Sequence, residues 1–291
     1  MPIHRTLISP DELTAAAASQ RAIVLDCSFD LADAQAGERG WRAGHLPGAQ
    51  YAHLDRDLSG PKAVAGPRSP TFTGRHPLPE RQAFAEQAGR WGITPGVQVV
   101  AYDGQGGPYA ARAWWLLRWI GHDAVAVLDG GIAAWVASGG ALVTDPPITV
   151  PASPYPARGD TMPTVDAAAL LRSLGRFRLI DARAGERFRG ETEPLDPVAG
   201  HIPGAVQRFF KDNLQADGRF KPPVELLAEF SAIGAVAPGT PPQSVVHQCG
   251  SGVTACHNLL AMAHAGLEGT TLYPGSWSEW CADPRRPVAV G

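Results

Sequence analysis

Short runs of apolar, β-branched residues recur along the chain, separated by polar or glycine-rich turns. Ile23-Val24-Leu25, Val97 to Tyr102 and Ala124 to Leu128 have the length and composition of buried parallel strands. Tyr109 to Ile120 has helical length and lies between Pro108 and Gly121, which break a helix. Further on, Leu179-Ile180 and Val245-Val246 predict strands. Val253 to Ala265 predicts a helix that stops at Gly266. Alternation of strand, loop and helix predicts an α/β fold with parallel sheets. Ligands of such sheets sit at the carboxyl ends of the strands.

The pattern occurs twice. GHLPGA at Gly44 to Ala49 returns as GHIPGA at Gly200 to Ala205. AIVLDC precedes the first copy and FRLIDA the second. VQVVAYDGQGGPYAARAWW, from Val97, is matched by QSVVHQCGSGVTACHNLL, from Gln243. LDGGIAAW (Leu128 to Trp135) and YPGSWSEW (Tyr273 to Trp280) close the two halves. The offset is 200 − 44 = 156 at the GH motif and 275 − 130 = 145 at the closing glycine. The first half therefore carries an insertion of about ten residues, which we assign to SGPKAVAGPRSP (Ser59 to Pro70). Six prolines between Pro146 and Pro163 exclude a helix or central strand there and read as an extended linker. The expected organisation is a first domain over 1–145, a linker over 146–163 and a second domain over 164–291.

Composition narrows the function. Hydrophobic residues make up 44% of 291, which is ordinary for a globular protein. Residues 1–150 hold 12 basic and 14 acidic side chains, and residues 151–291 hold 13 and 14. Neither half is a basic domain, so nucleic acid is not the expected partner. No apolar run reaches the roughly 18 residues of a membrane span. The opening residues lack the apolar stretch of a secretory signal, so a cytoplasmic protein is expected. Four cysteines, Cys27, Cys249, Cys256 and Cys281, are too few for a disulfide framework.

Cys249 stands where the strand SVVHQ ends, and GSGVT follows before the helix. Two glycines in four residues let the backbone curl so that successive N–H groups point inward. The helix N-terminus adds partial positive charge. Both favour thiolate over thiol, so a nucleophilic Cys249 of lowered pKa is expected. The matching residue of the first half is Asp103, which cannot attack as a thiolate does. Any thiol chemistry is thus confined to the second half. Cys27 and Cys256 read as buried thiols, with a resolving thiol as the other reading of Cys256; Cys281 has no assigned role. His45 and His201 occur in both halves and are read as serving the fold. Trp114, Trp115 and Trp119 share one helix and are read as packing.

Two tandem α/β halves, each with GH[IL]PGA and with a cysteine loop only in the second, resemble the rhodanese superfamily over essentially the whole chain. CGSGVT (Cys249 to Thr254) is similar to the loop of the 3-mercaptopyruvate sulfurtransferases, whereas thiosulfate-preferring relatives carry basic residues in it. The resemblance implies two rhodanese-like domains, the second catalytic. It implies that Cys249 takes a sulfur atom as a persulfide and passes it to a thiol, thioredoxin or cyanide, with pyruvate released. Gly250, Ser251, Gly252, Val253 and Thr254 then form an anion cradle, and neither a cofactor nor a metal is needed. In DARAGERFRG, Arg187 matches the family's substrate arginine, and Arg183 is a second candidate. The segment ETEPLDPVAGH lacks the further arginine that mercaptopyruvate enzymes often carry there. The resemblance also implies a proton relay of Ser251, His76 and Asp55, with Tyr109 near the substrate. Asp55 and His76 flank the insertion, so neither half is expected to work alone.

Other chemistries fit less well. A cysteine phosphatase needs an arginine at the sixth residue after the nucleophile, and that residue is Ala255. Cys249, Cys256, His257 and Cys281 lack the paired short spacings of a zinc site. A thiosulfate:cyanide sulfurtransferase and a persulfide carrier that turns over no small donor are the alternatives that remain.

Overall fold

A computed structural model describes residues 3–18, 22–69, 71–159, 161–236 and 239–291. The chain divides into two compact units. The first comprises residues 1–60, 79–161 and 214–220; the second comprises 61–78, 162–213 and 221–291. Residues 61–78, which the repeat allots to the first half, thus belong to the second unit.

The first unit contains β1 (Leu7–Ile8), α1 (Pro10–Ala18), β2 (Ala22–Asp26), α2 (Ala36–Ala43), β3 (Gln50–Tyr51), α3 (Arg81–Arg90), β4 (Gln98–Tyr102), α4 (Pro108–Trp119), β5 (Val125–Leu128) and α5 (Gly131–Ala137). Its sheet runs β1-β5-β4-β2-β3, all parallel. Val24 lies beside Val100, and Val100 beside Ala126. These β-branched and small residues form a flat apolar face, against which Leu13, Leu46 and Trp135 pack. Trp114 and Trp115 are buried on α4, as the packing reading expects.

The second unit contains α6 (Ala167–Arg172), β6 (Arg178–Asp181), α7 (Gly185–Phe188), β7 (Val206–Gln207), α8 (Pro223–Ala232), β8 (Val245–Gln248), α9 (Ala255–His264), β9 (Thr271–Leu272) and α10 (Ser276–Trp280). The parallel sheet runs β7-β6-β8-β9. Thr164 bridges Leu272 on the outer side of β9, as β1 pairs with β5 in the first unit. Leu170, Ile202, Val246, Tyr273, Trp277 and Trp280 form the core. A fully buried tryptophan such as Trp277 removes some 150–250 Å² from water, about 4–6 kcal/mol by area. The sequence places the helix start at Val253; it is observed at Ala255. Val253 and Thr254 instead form the turn whose carbonyls accept the N–H groups of Cys256 and His257.

The repeated histidines do the same work twice. His45 is linked through Nδ1 to the Trp41 carbonyl at 2.7 Å, and His201 through Nδ1 to the Phe188 carbonyl at 2.8 Å. Each also pairs by backbone with a distant strand segment, at Val143 and at Ala289. Two ends of each unit are pinned this way, which explains the motif without any ligand.

Candidate active site

Every element of the cysteine loop is held from below. Cys249 directly follows β8 and is 2% exposed. The Gly252 N–H donates to Cys249 Sγ at 3.2 Å. Gly252 has φ +77°, and a Cβ there would collide with the Pro274 carbonyl, so only glycine lets the backbone turn its amide toward sulfur. The Cys256 thiol donates to the Gly252 carbonyl at 3.3 Å, from one turn into α9. Cys256 is thereby a brace beneath the loop. The Cys249 and Gly250 carbonyls accept the N–H groups of Trp277 and Ser278, at 2.9 and 3.0 Å.

The start of α10 completes the support. Ser276 Oγ accepts the Cys249 N–H at 3.0 Å and donates to the Tyr273 carbonyl at 2.9 Å. Ser276 is the one non-glycine residue with positive φ among the described residues, at +53°. Its counterpart in the first half, Gly131, has φ +57°. A left-handed backbone costs a side-chain-bearing residue roughly 1–2 kcal/mol, and here the hydroxyl reaches the amide of Cys249. Ser276 and Ser278 escaped the sequence reading. The visible signal was a contrast between repeats: Gly131 and Ala133 in one half, two hydroxyls in the other.

Three arginines lie beside the loop. Arg183 is buried and binds Asp181 at 2.6 Å, the Gly200 carbonyl at 2.8 Å and Glu193 at 3.3 Å, with its guanidinium 4.8 Å from the centre of the Trp277 ring. Its donors point into the unit. Arg187 is partly exposed and is held by Glu193 through Nε at 3.2 Å and Nη2 at 2.6 Å. Arg75, absent from the sequence reading although it precedes His76, donates through Nη1 to Asp196. Its backbone N–H is fixed by Ser278 Oγ at 3.1 Å. Burial raises the Asp196 carboxyl above the usual range, against the pull of Arg75. A Cβ on Gly250 would sit 3.0 Å from Arg75 Nη2 and 3.5 Å from Arg187 Nη1 and Nη2.

Ser251 and His76 meet: His76 Nδ1 lies 2.7 Å from Ser251 Oγ, and both residues are buried. Because 61–78 belongs to the second unit, this pair is complete within it. Asp55 and Tyr109 belong to the first unit. The Asp55 N–H donates to His53 Nδ1 at 3.1 Å. Tyr109 packs edge-on against Phe29, and burial with Asp103 nearby pushes its phenol up to about 12. Cys27 and Cys281 are buried; burial raises both thiols, Cys281 to about 12. Among the described residues, no group of three His, Cys, Asp or Glu side chains could hold a metal. No helix among them is long and apolar enough to cross a membrane.

The first unit shows what the loop is built to hold. Asp103 occupies the place of Cys249, and its carboxylate accepts the N–H groups of Gln105 and Gly107 at 2.9 and 2.8 Å. It also accepts those of Tyr109 and Ala110, both at 3.0 Å. The cradle there is filled by its own anion. Burial raises this carboxyl while the four amides pull it down.

Comparison with known proteins agrees with this architecture. The rhodanese-like domain model matches residues 9–138 and 164–283. A Pseudomonas aeruginosa protein named "Probable 3-mercaptopyruvate sulfurtransferase" is 49% identical over 98% of this chain and 98% of its own. The thiosulfate sulfurtransferase of Mus musculus is 32% identical over 99% of this chain and 97% of its own. Among solved structures, the 3-mercaptopyruvate sulfurtransferase from Leishmania major superposes with a TM-score of 0.81 at 28% identity, covering 96% of this chain and 75% of that one. With both halves matched and near-full-length relatives on either side of the donor divide, the chain belongs to the rhodanese family as a tandem-domain sulfurtransferase.

Proposed function

We propose that the protein transfers sulfur from 3-mercaptopyruvate through a persulfide on Cys249. The Cys249 thiolate attacks the donor sulfur, and a new S–S bond forms. The C3–S bond of the donor breaks, and its electron pair passes to C3, leaving pyruvate enolate. A proton at C3 completes pyruvate. The acceptor, a small thiol, reduced thioredoxin or cyanide, then attacks the outer sulfur and regenerates the Cys249 thiolate. The Gly252 N–H directed at Sγ suits both the thiolate and the bound sulfur anion. Arg187 holds the donor carboxylate through its planar fork.

The observation that carries this choice of donor is the 2.7 Å Ser251–His76 contact. An enolate leaving group needs a proton; sulfite, leaving from thiosulfate, needs none. Ser251 delivers the proton and His76 restores it. The test compares kcat/KM for 3-mercaptopyruvate and thiosulfate with one fixed acceptor, in the wild type, Ser251→Ala and His76→Ala. The expected result is a mercaptopyruvate preference, with both variants losing about 10²–10⁴-fold on mercaptopyruvate and little on thiosulfate. A thiosulfate preference in the wild type overturns the donor; equal losses on both donors overturn the relay.

A further inference from the structure

The two units treat one position in opposite ways. In the second unit the Arg183 side chain fills the space beside Asp181. It binds that carboxylate at 2.6 Å and the Gly200 carbonyl at 2.8 Å, with its guanidinium 4.8 Å from the centre of the Trp277 ring. The repeat carries each of these partners into the first unit. Asp26 lies beside Tyr102 as Asp181 lies beside Gln248. Gly44 and Gly200 open the GH motif, and Ile132 and Trp277 each stand two residues after the closing glycine. Arg183 itself corresponds to Ser28: each gives its backbone N–H to the matching aspartate, at 3.0 and 2.9 Å. Arg187 precedes Phe188, which stacks on His201; Gly40 precedes Trp41, which stacks on His45. The first unit thus has serine and glycine where the second has two arginines. A cavity of about 240 Å³ stands in that space, and Asp26, Ser28, Gly40, Gly44 and Ile132 are among its walls.

We infer that this cavity of the first unit is a binding site for the guanidinium group of a ligand, seated on Asp26 as Arg183 is seated on Asp181. The walls carry two carboxylates, Asp26 and Asp30, and no lysine or arginine, so they attract a cation. Asp26 is 2% exposed. In place of a guanidinium it has the Ser28 N–H at 2.9 Å and the hydroxyls of Ser28 and Tyr102. Neutral donors hold a buried carboxylate less strongly than a guanidinium does, and burial keeps the Asp26 carboxyl above its usual range. A bound guanidinium restores the charge pairing. Phe29 and Trp41 in the same walls supply the aromatic surface that Trp277 gives to Arg183. A flat, weakly hydrated cation suits such a lining better than a compact ammonium. Among the described residues, no group of three His, Cys, Asp or Glu side chains could hold a metal. The volume admits a planar cation and a short alkyl stem, and is below the roughly 300–1,000 Å³ of pockets for larger ligands.

The experiment is a calorimetric titration of the full chain with free arginine and with citrulline, which keeps the shape but has a neutral urea group in place of the guanidinium. Arginine should bind saturably, with a Kd on the order of 1 mM for so small a ligand. Citrulline should bind at least about tenfold more weakly, the loss of a charge-assisted hydrogen bond. A third probe, arginine blocked as its N-acetyl amide, separates two sources of the group. Tighter binding than free arginine assigns the seat to an arginine side chain of a polypeptide; weaker binding assigns it to a free small molecule. Ser28→Arg returns the missing side chain within the chain itself and should abolish binding. Asp26→Asn keeps the shape and should weaken binding about tenfold to a hundredfold; it decides the matter, together with citrulline, if Ser28→Arg does not fold. Citrulline binding as tightly as arginine, or arginine binding unchanged in either variant, would overturn the inference. So would the absence of saturable binding by both arginine probes at tens of millimolar.

Discussion

At Gly250 the absence of a side chain leaves room for the guanidinium groups of Arg75 and Arg187. The residue is not in the left-handed region, so alanine costs no backbone strain there. Its methyl group would meet Arg75 Nη2 at 3.0 Å. Gly250→Ala should therefore leave the melting temperature nearly unchanged and raise KM for mercaptopyruvate, as steady-state kinetics would show; an unchanged KM would mean the forks do not work at this point. The cysteines separate by geometry. Cys249 alone receives an N–H on sulfur from the glycine turn, whereas Cys256 gives its own proton to the Gly252 carbonyl. Cys249→Ser should abolish transfer. Cys256→Ser can keep the brace through its hydroxyl and should retain most activity. Equal loss in both would make Cys256 part of the chemistry. His247, two residues before Cys249 on β8, carries a third prediction. Burial lowers its pKa to about 3. In the unfolded chain it titrates near 6.5, so above that pH the residue is neutral in both states and adds no pH dependence. Below it the unfolded state binds the extra proton, and stability falls as pH drops from about 6.5 toward 3, by at most about 1.4 kcal/mol per pH unit. His247→Leu should flatten the slope of denaturation midpoint against pH over pH 4–6.5; an unchanged slope would show that other groups set it.

The loop and α10 work as one device, although α10 is only a turn and a half long. Its first residues take the Cys249 and Gly250 carbonyls and the Cys249 amide. Cys249 is thus held at both its amide and its carbonyl. Ser276 bears opposing demands. Ser276→Gly removes the left-handed strain, about 1–2 kcal/mol, but leaves the buried Cys249 N–H without its acceptor, about 1–3 kcal/mol. Ser276→Ala keeps the strain and loses the acceptor. The melting temperature should fall more in alanine than in glycine, and both should lose kcat. The reverse order would mean that the hydroxyl contributes little. The elements that could be read from sequence were those carrying a period or a repeat: β2, β4, β5, α4, β6, β8 and the body of α9. The two-residue strands β1, β3, β7 and β9 carry too few residues for any period to register. They exist because a longer neighbour offers an unpaired edge. The same limit hid Ser276, whose role lies in φ and in a contact 27 residues away. Cys249, Ser251 and Arg187 could be singled out as candidates because each sits in a motif. Arg75 was not, because its partner Asp196 is 121 positions distant and no local pattern couples them.

Each repeat half lends a short segment to the other unit, and the proposed chemistry draws on that loan. Residues 61–78 belong to the second unit and 214–220 to the first. From the first of these come Gly74, which packs on the Gly275 carbonyl, Arg75 on Asp196 and Ser278, and His76 on Ser251. A chain of residues 162–291 alone retains Cys249, the glycine turn and Arg187, yet lacks all three contacts. Asp196, its side chain only 3% exposed, would lose Arg75. Breaking a buried ion pair from one side costs on the order of 3 kcal/mol, a large part of the margin of a domain this size. The fragment should unfold at lower denaturant than the full chain and show little mercaptopyruvate turnover. Joining residues 61–78 to the start of the fragment through a flexible linker should restore part of the stability, because the segment would again bind at high effective concentration. It should also restore the Ser251–His76 pair, read as a gain in kcat. A bare fragment with the kcat/KM of the full chain would show that neither Arg75 nor His76 takes part. A fused fragment that regains stability without turnover would mean that the segment is needed for folding and that the missing function comes from the first unit, where Asp55 and Tyr109 reside.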